Sequence, residues 1–207
     1  VKNGADLILA SNVFAHSDNL IEMAETMKKL LKNSGTIVIE VQYLMNTFKD
    51  LTFDNIYHEH TNYWSLTSLI PFFDRLNMKI FHAELINTHG GSIRVYITTN
   101  PDKSINNTVS KLLEEEEKFG LKNIDTYIEF GKKIEKLKLK VKSNMIKLKS
   151  KYKNVIGFGA PAKATTALNY FGLKNEIKFI IEDNNLKDGK YIPGVNIPII
   201  SKAKVSK

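Results

Sequence analysis

Two largely apolar runs open the chain, Asp6 to Val13 and Thr36 to Val41. Each is short enough to be a strand and apolar on both faces, as a strand inside a parallel sheet is. Between them Ile21, Met23, Ala24, Met27, Leu30 and Leu31 recur at three- and four-residue spacing. That spacing predicts a helix capped by Asp18, running to about Lys32 and stopped by Asn33-Ser34-Gly35. Strand, helix and strand in this order predict a β-α-β unit of a parallel sheet. Further on, Ser65 is placed to cap a short helix reaching Arg75. Met78 to Ile86 and Ser92 to Thr99 read as strands of a hairpin turning at Asn87-Thr88-His89-Gly90-Gly91.

From Asp102 to Lys151 the character changes. An acidic run at Glu114 to Glu117 precedes a break at Gly120, and then Ile134, Leu137, Val141, Met145 and Leu148 mark one stripe of a long lysine-rich helix. Such a stripe is what any packed helix shows, so this segment reads as a helical connector. A second α/β unit opens at Lys153: Asn154 to Lys163 joins a short strand to a helix over Thr165 to Phe171, and Ile177 to Ile181 forms the next strand, ending at Glu182-Asp183-Asn184. Small residues in Gly157-Phe158-Gly159-Ala160 would let a backbone approach a phosphate at a helix N-terminus. The tail beyond Pro198-Ile199-Ile200 is lysine-rich.

With 207 residues, 43% of them hydrophobic, the chain has material for one sizeable core and a second small one. Its formal net charge of +8 raises nucleic acid as a partner. Yet Arg75 and Arg94 are its only arginines, and readers of phosphate and bases rely on bidentate arginine. No nucleic-acid partner is expected. Cysteine is absent, which removes disulfides and thiolate chemistry from this chain. No leader pattern opens the sequence and no apolar run would span a bilayer, so a cytoplasmic protein with no membrane partner is expected.

The densest chemistry is Ile56-Tyr57-His58-Glu59-His60, followed by Tyr63-Trp64. A phenol, a carboxylate and two imidazoles in succession supply every group that proton transfer near neutral pH needs. Zinc is the competing reading. A metalloprotease helix carries its two histidines one turn apart with glutamate between, whereas His58 and His60 flank Glu59 directly and would point apart on a helix. A turn bringing Tyr57 and His60 together suits acid/base work, and no metal site is expected.

Taken in order, Asn12-Val13-Phe14-Ala15-His16, Tyr57-His58-Glu59-His60, His89-Gly90-Gly91-Ser92-Ile93-Arg94, Gly157-Phe158-Gly159-Ala160-Pro161-Ala162-Lys163 and Tyr191-Ile192-Pro193-Gly194 resemble the sugar C-methyltransferases. Those enzymes methylate a carbon of nucleotide-linked deoxyketosugars with S-adenosyl-L-methionine. The resemblance implies an α/β fold: the C-terminal half of a Rossmann-like class I methyltransferase domain over 1–100, a helical connector over 101–151, and a partial second Rossmann-like α/β domain over 152–207. It implies a fragment, because the family's cysteine-rich zinc domain and the glycine-rich cofactor loop have no counterpart here. Zinc would belong only to that missing N-terminal domain.

The same resemblance assigns roles. His60 is the base that removes a proton next to the ketone, with Tyr57 and Glu59 orienting it or polarising the ketone and His16 nearby. Ala10, Ser11 and Asn12 contact the amino-acid part of S-adenosyl-L-methionine. Gly157, Gly159, Ala160 and Lys163 hold the diphosphate of the sugar nucleotide, and Arg94 is either a substrate contact or half of an ion pair. Oligomeric state is not legible. Two other classes stay open: a nucleotide-binding oxidoreductase module, with NAD on the Gly157 loop and Glu182 or Asp183 at its ribose, and a non-catalytic basic binding protein.

Overall fold

The computed structural model describes residues 4–88 and 90–205, so His89 of the hairpin turn lies outside the described residues. The chain forms two compact units, Val1–Thr52 with His58–Ile128, and Phe53–Tyr57 with Glu129–Lys207.

In the first unit, strands β1 (Ala5–Ser11), β2 (Leu31–Gln42), β3 (Lys79–Ile86) and β4 (Ser92–Thr98) form one sheet in the order β1-β2-β4-β3. β1 and β2 are parallel, and β4 runs antiparallel to both of its neighbours. Alternation along the strands sends Ile37, Ile39, Val41, Ile93, Val95 and Ile97 to one face, all of them buried. Helix α3 (Leu66–Asp74) contributes Leu66, Leu69 and Phe73 to the buried residues, and Phe14 stacks on Phe73. Burial of each such side chain stabilises the fold by roughly 1.5–3 kcal/mol.

The other face carries Val38, Glu40, Glu84, Arg94 and Tyr96. β1 lies at a sheet edge, with Leu7 and Leu9 54% and 68% exposed. The prediction of a strand buried on both faces does not hold in this chain: Ala10 alone is buried and Ile8 half-buried, because β1 has a neighbour on one side only.

Helix α1 spans Leu20–Leu30 and follows Asn19, not Asp18, with no side-chain cap. β2 starts at once at Leu31, and the predicted helix stop Asn33-Ser34-Gly35 is an irregularity within it, between the pairs Ala5↔Leu31 and Leu7↔Thr36. Gly35 makes this possible: a Cβ there would lie 2.7 Å from the Leu31 side chain and 2.8 Å from the Ala5 carbonyl oxygen. The short helix α2 (Leu44–Lys49) was not legible in the pattern; it buries Met45 and Phe48. Helix α4 (Asn107–Phe119) starts on an Asn106 cap, ends at Gly120 in the left-handed region, and packs on β3 and α3.

Helix α5 (Ile124–Lys151) runs on into the second unit, where Ile134 is buried. There β5 (Gly157–Phe158), β6 (Ile180–Glu182) and β7 (Ile199–Ser201) form a parallel sheet in the order β5-β6-β7. Helix α6 (Ala162–Phe171) starts three residues earlier than its spacing suggested, and α7 (Lys202–Val205) packs on β6 and β7. The core is Ala160, Ile180, Ile192, Val195, Ile197 and Ile199, with Leu168 and Ile177 against it. The Pro193-Gly194 turn is pinned to α6, because Asn169 Nδ2 donates to the Pro193 carbonyl at 2.8 Å. Gly194 has φ +81°, and a Cβ there would sit 2.1 Å from Asn169 Oδ1. Phe53, of the 3-10 turn Phe53–Asn55, packs on Tyr170 and Phe171 in this unit.

Candidate active site

At the carboxyl end of β1 the chain turns through Asn12, whose φ is +53°, into a 3-10 turn at Phe14–His16. Phe14 anchors this turn, being fully buried with its ring 5.5 Å from Trp64 and 5.7 Å from Phe72. His16 is thereby held at the rim, at the carboxyl ends of parallel strands where open α/β sheets bind ligands.

The segment from His58 to Ser65 is fastened to this turn at several points. His16 Nδ1 lies 2.7 Å from the Glu59 carbonyl oxygen. Thr61 Oγ1 donates to the Ala15 carbonyl at 3.2 Å, and Asn62 Nδ2 to the Ser17 carbonyl at 3.3 Å. The His16 and His60 rings are 4.9 Å apart between centroids. A carbonyl only accepts, so Nδ1 of His16 carries the proton, and in the neutral ring Nε2 is left as the acceptor. His60 is half-buried, whereas His58 and Glu59 are exposed and stand 3.9 Å apart. Tyr57 is half-buried and ends the segment assigned to the second unit. The structure thus brings His16, Glu59 and His60 together within the first unit. Among the described residues no group of three or more His, Asp or Glu side chains is placed to hold a metal ion.

Ala10, Ser11 and Asn12 lie beside this pair of histidines along the chain. Ala10 is buried, Ser11 exposed and Asn12 half-buried, with the Asn12 N–H donating to the Glu40 carbonyl at 2.9 Å. A cleft of about 470 Å³ runs over the open sheet face, lined by Leu9, Ala10, Ser11, Val38, Glu40 and Arg94 among others. Its walls are apolar at Leu9, Ala10 and Val38 and polar at Ser11, Glu40 and Arg94, the last two already paired with each other.

Arg94 stands between two acids. Its Nη2 is 3.1 Å from Glu40 Oε2 and its Nη1 is 3.1 Å from Glu84 Oε1. Thr88 donates to Glu40, and Tyr96 donates to Glu84 at 2.8 Å. The Tyr96 hydrogen bond, with Arg94 beside it, holds the Glu84 carboxyl below its ordinary range, and the Tyr96 phenol is raised by the same bond. The Arg94 guanidinium is held above its ordinary value, chiefly by its hydrogen bond to Glu40. Neither acid stood out in the sequence, although the strand register pairs Glu40 with Arg94 and Arg94 with Glu84 directly.

In the second unit the glycine loop bends at Gly159, φ +84°, and α6 begins after Pro161 with no side-chain cap. Lys163 is exposed in the first turn of that helix. The Ala160 N–H donates to Glu182 Oε2 at 2.7 Å, while Lys187 Nζ donates to the Ala160 carbonyl at 2.8 Å. Backbone N–H groups of Asn184 and Ala160 hold the Glu182 carboxyl below its ordinary range. That carboxylate fastens β6 to the loop, an occupation different from the ribose contact of the oxidoreductase reading.

Two comparisons place the chain among known proteins. Residues 87–207 match the family described as C-methyltransferase C-terminal domain. Over 199 residues, 95% of the chain, it is 33% identical to the C-methyltransferase NovU of Streptomyces niveus, of which this match covers 47%. The mixed parallel and antiparallel sheets and this family match define a Rossmann-like α/β protein of methyltransferase type. The chain belongs to the C-methyltransferase family and corresponds to its C-terminal region. It spans about half the length of the curated relative it matches. No helix among the described residues is long and apolar enough to cross a membrane.

Proposed function

We propose that the protein of which this chain forms part transfers a methyl group from S-adenosyl-L-methionine to the carbon next to the ketone of a nucleotide-linked deoxyketosugar. The observation that carries this reading is the pair His16 and His60, held 4.9 Å apart at the carboxyl end of β1. A ketone acidifies the C–H bond beside it, so one well-placed base is enough to form the enolate. His60 is that base. His16, oriented by the Glu59 carbonyl, turns its Nε2 lone pair outward and takes up or relays the proton. Glu59 and Tyr57 orient the base or polarise the ketone oxygen. When bound, the cofactor supplies an electrophilic methyl group on sulfur, and the C–S electron pair stays with the sulfur as the thioether. Ala10, Ser11 and Asn12 hold its amino-acid end.

The uncapped start of α6, with Gly157, Gly159, Ala160 and Lys163, is where the sugar nucleotide's diphosphate binds. The Ala160 N–H serves that role only if Glu182 yields it, so Lys163 and the free helix start carry most of the contact. Arg94 reaches a ligand only by giving up one of its two carboxylates. Activity is expected in the cytoplasm. The test is incubation of the full-length protein with methyl-labelled S-adenosyl-L-methionine and a nucleoside diphosphate deoxyketosugar. Label in a new C–CH₃ group supports the reading; label on oxygen, or none, removes it.

A further inference from the structure

Glu116 is completely buried, yet it takes no part in the proton transfer described above. It lies on α4, and its carboxylate gathers three donors. Oε1 accepts the Leu66 N–H at 2.6 Å and the Tyr43 hydroxyl at 2.9 Å, and Oε2 accepts the Thr67 N–H at 2.7 Å. Leu66 and Thr67 open α3, whose cap Ser65 forms a reciprocal capping box with Ser68. A negative charge on the first N–H groups of a helix is favourable because those groups lack intrahelical partners and the helix dipole is positive there. Burial, then the charge of Glu116, drives the Tyr43 phenol far above its ordinary range, so Tyr43 is a fixed donor.

This knot ties off the far end of the histidine segment. Tyr43 forms a parallel bridge with Trp64, and the Leu44 N–H donates to the Trp64 carbonyl at 2.9 Å. Trp64 packs at a tilt against Phe14, two residues before His16. The segment that holds His60 therefore ends on Glu116 at one side and on the His16 turn at the other. The capping box satisfies only the Ser65 and Ser68 N–H groups and leaves those of Leu66 and Thr67 to Glu116, so the carboxylate fixes where α3 begins and with it where the segment from His60 ends.

We propose that Glu116 is a positioning residue for the proton-transfer site, fixing His60 against His16 through Leu66, Thr67, Tyr43 and Trp64. The inference rests on the reading of His60 as the base. Glu116→Gln keeps the volume but sets an NH₂ donor against a backbone N–H or the phenol, so at least one of the three bonds is lost.

The test uses the full-length protein in deuterated water, with the nucleotide ketosugar and the demethylated cofactor. The wild type should exchange the hydrogen beside the ketone, and failure to do so would count against His60 as the base. Exchange in Glu116→Gln should fall tenfold or more at saturating sugar, with the dissociation constant of the sugar changed less than twofold. Amide protection at Leu66 and Thr67 should drop, and with it protection from His60 to Trp64. Glu116→Asp should recover part of the rate. Tyr43→Phe, which removes one donor and keeps the charge, should lower exchange two- to fivefold and decides the matter if Glu116→Gln does not fold. Lower melting temperature with unchanged exchange in the folded variants would overturn the proposal. So would lost protection at Leu66 and Thr67 that leaves His60 to Trp64 as protected as before, whether or not the wild type exchanges.

Discussion

Replacing Arg94 with methionine isolates the charge network on the open sheet face. Methionine keeps most of the apolar stem and removes the guanidinium, leaving two carboxylates on the strands either side of β4. Glu40 has a side chain only 10% exposed and loses a charged hydrogen bond at 3.1 Å, worth about 1.5–3 kcal/mol where water cannot replace it. Glu84 is 39% exposed and keeps Tyr96 as a donor, so its share is that of a screened surface pair, about 0.2–1 kcal/mol. The sum is about 2–4 kcal/mol.

Trp64, the sole tryptophan, belongs to this unit and reports its unfolding by fluorescence in urea. The midpoint should fall by roughly 1 M or more with an unchanged slope. The pH dependence carries a sign. Glu84 has its carboxyl pKa lowered in the folded state from 4.5, so its contribution is full above that value and is lost as pH falls through the lower folded value. The Glu84 share of the deficit should therefore vanish in acid. A variant stable within about 0.5 kcal/mol at neutral pH, but unable to bind the nucleotide sugar, would refute this account and make Arg94 a ligand contact.

Two further substitutions separate backbone demands from ligand contacts. Gly194→Ala should destabilise the second unit by about 2 kcal/mol or more, from the left-handed backbone and the collision with Asn169. Gly189→Ala, with φ +73° and open space around it, should cost only about 1–2 kcal/mol; equal melting temperatures for the two would show that the Asn169 contact is not a constraint. Lys163→Ala in the full-length protein should weaken binding of a nucleoside diphosphate sugar by about 1.5–3 kcal/mol by calorimetry, leaving stability unchanged. Unaltered affinity would place the diphosphate elsewhere.

Long periodic stretches were legible in the sequence. The β1, α1, β2 unit, the hairpin and the Ser65-capped helix follow from runs, spacing and caps that local chemistry enforces. What escaped depends on partners distant in the chain. α2 and β7 are too short to show a period. The ion pairs of Arg94 emerge only once the strand register sets Glu40 and Glu84 beside it. Glu116 hid inside the acidic run at Glu114 to Glu117, although Val109, Leu112 and Glu116 share the three- and four-residue spacing of a buried face. The run of ionisable groups marked the segment and the family resemblance picked out His60, but its approach to His16 needed the folded turn at Phe14.

The central claim is that His60 removes a proton from the carbon next to the ketone. The full-length protein is incubated with nucleotide ketosugar in deuterated water, with S-adenosylhomocysteine in place of the methyl donor, and deuterium at that carbon is followed by NMR. The account predicts exchange in the wild type. It predicts loss of exchange in His60→Asn with sugar binding retained, since asparagine keeps a hydrogen bond and takes no proton at neutral pH. Undiminished exchange in His60→Asn would contradict it.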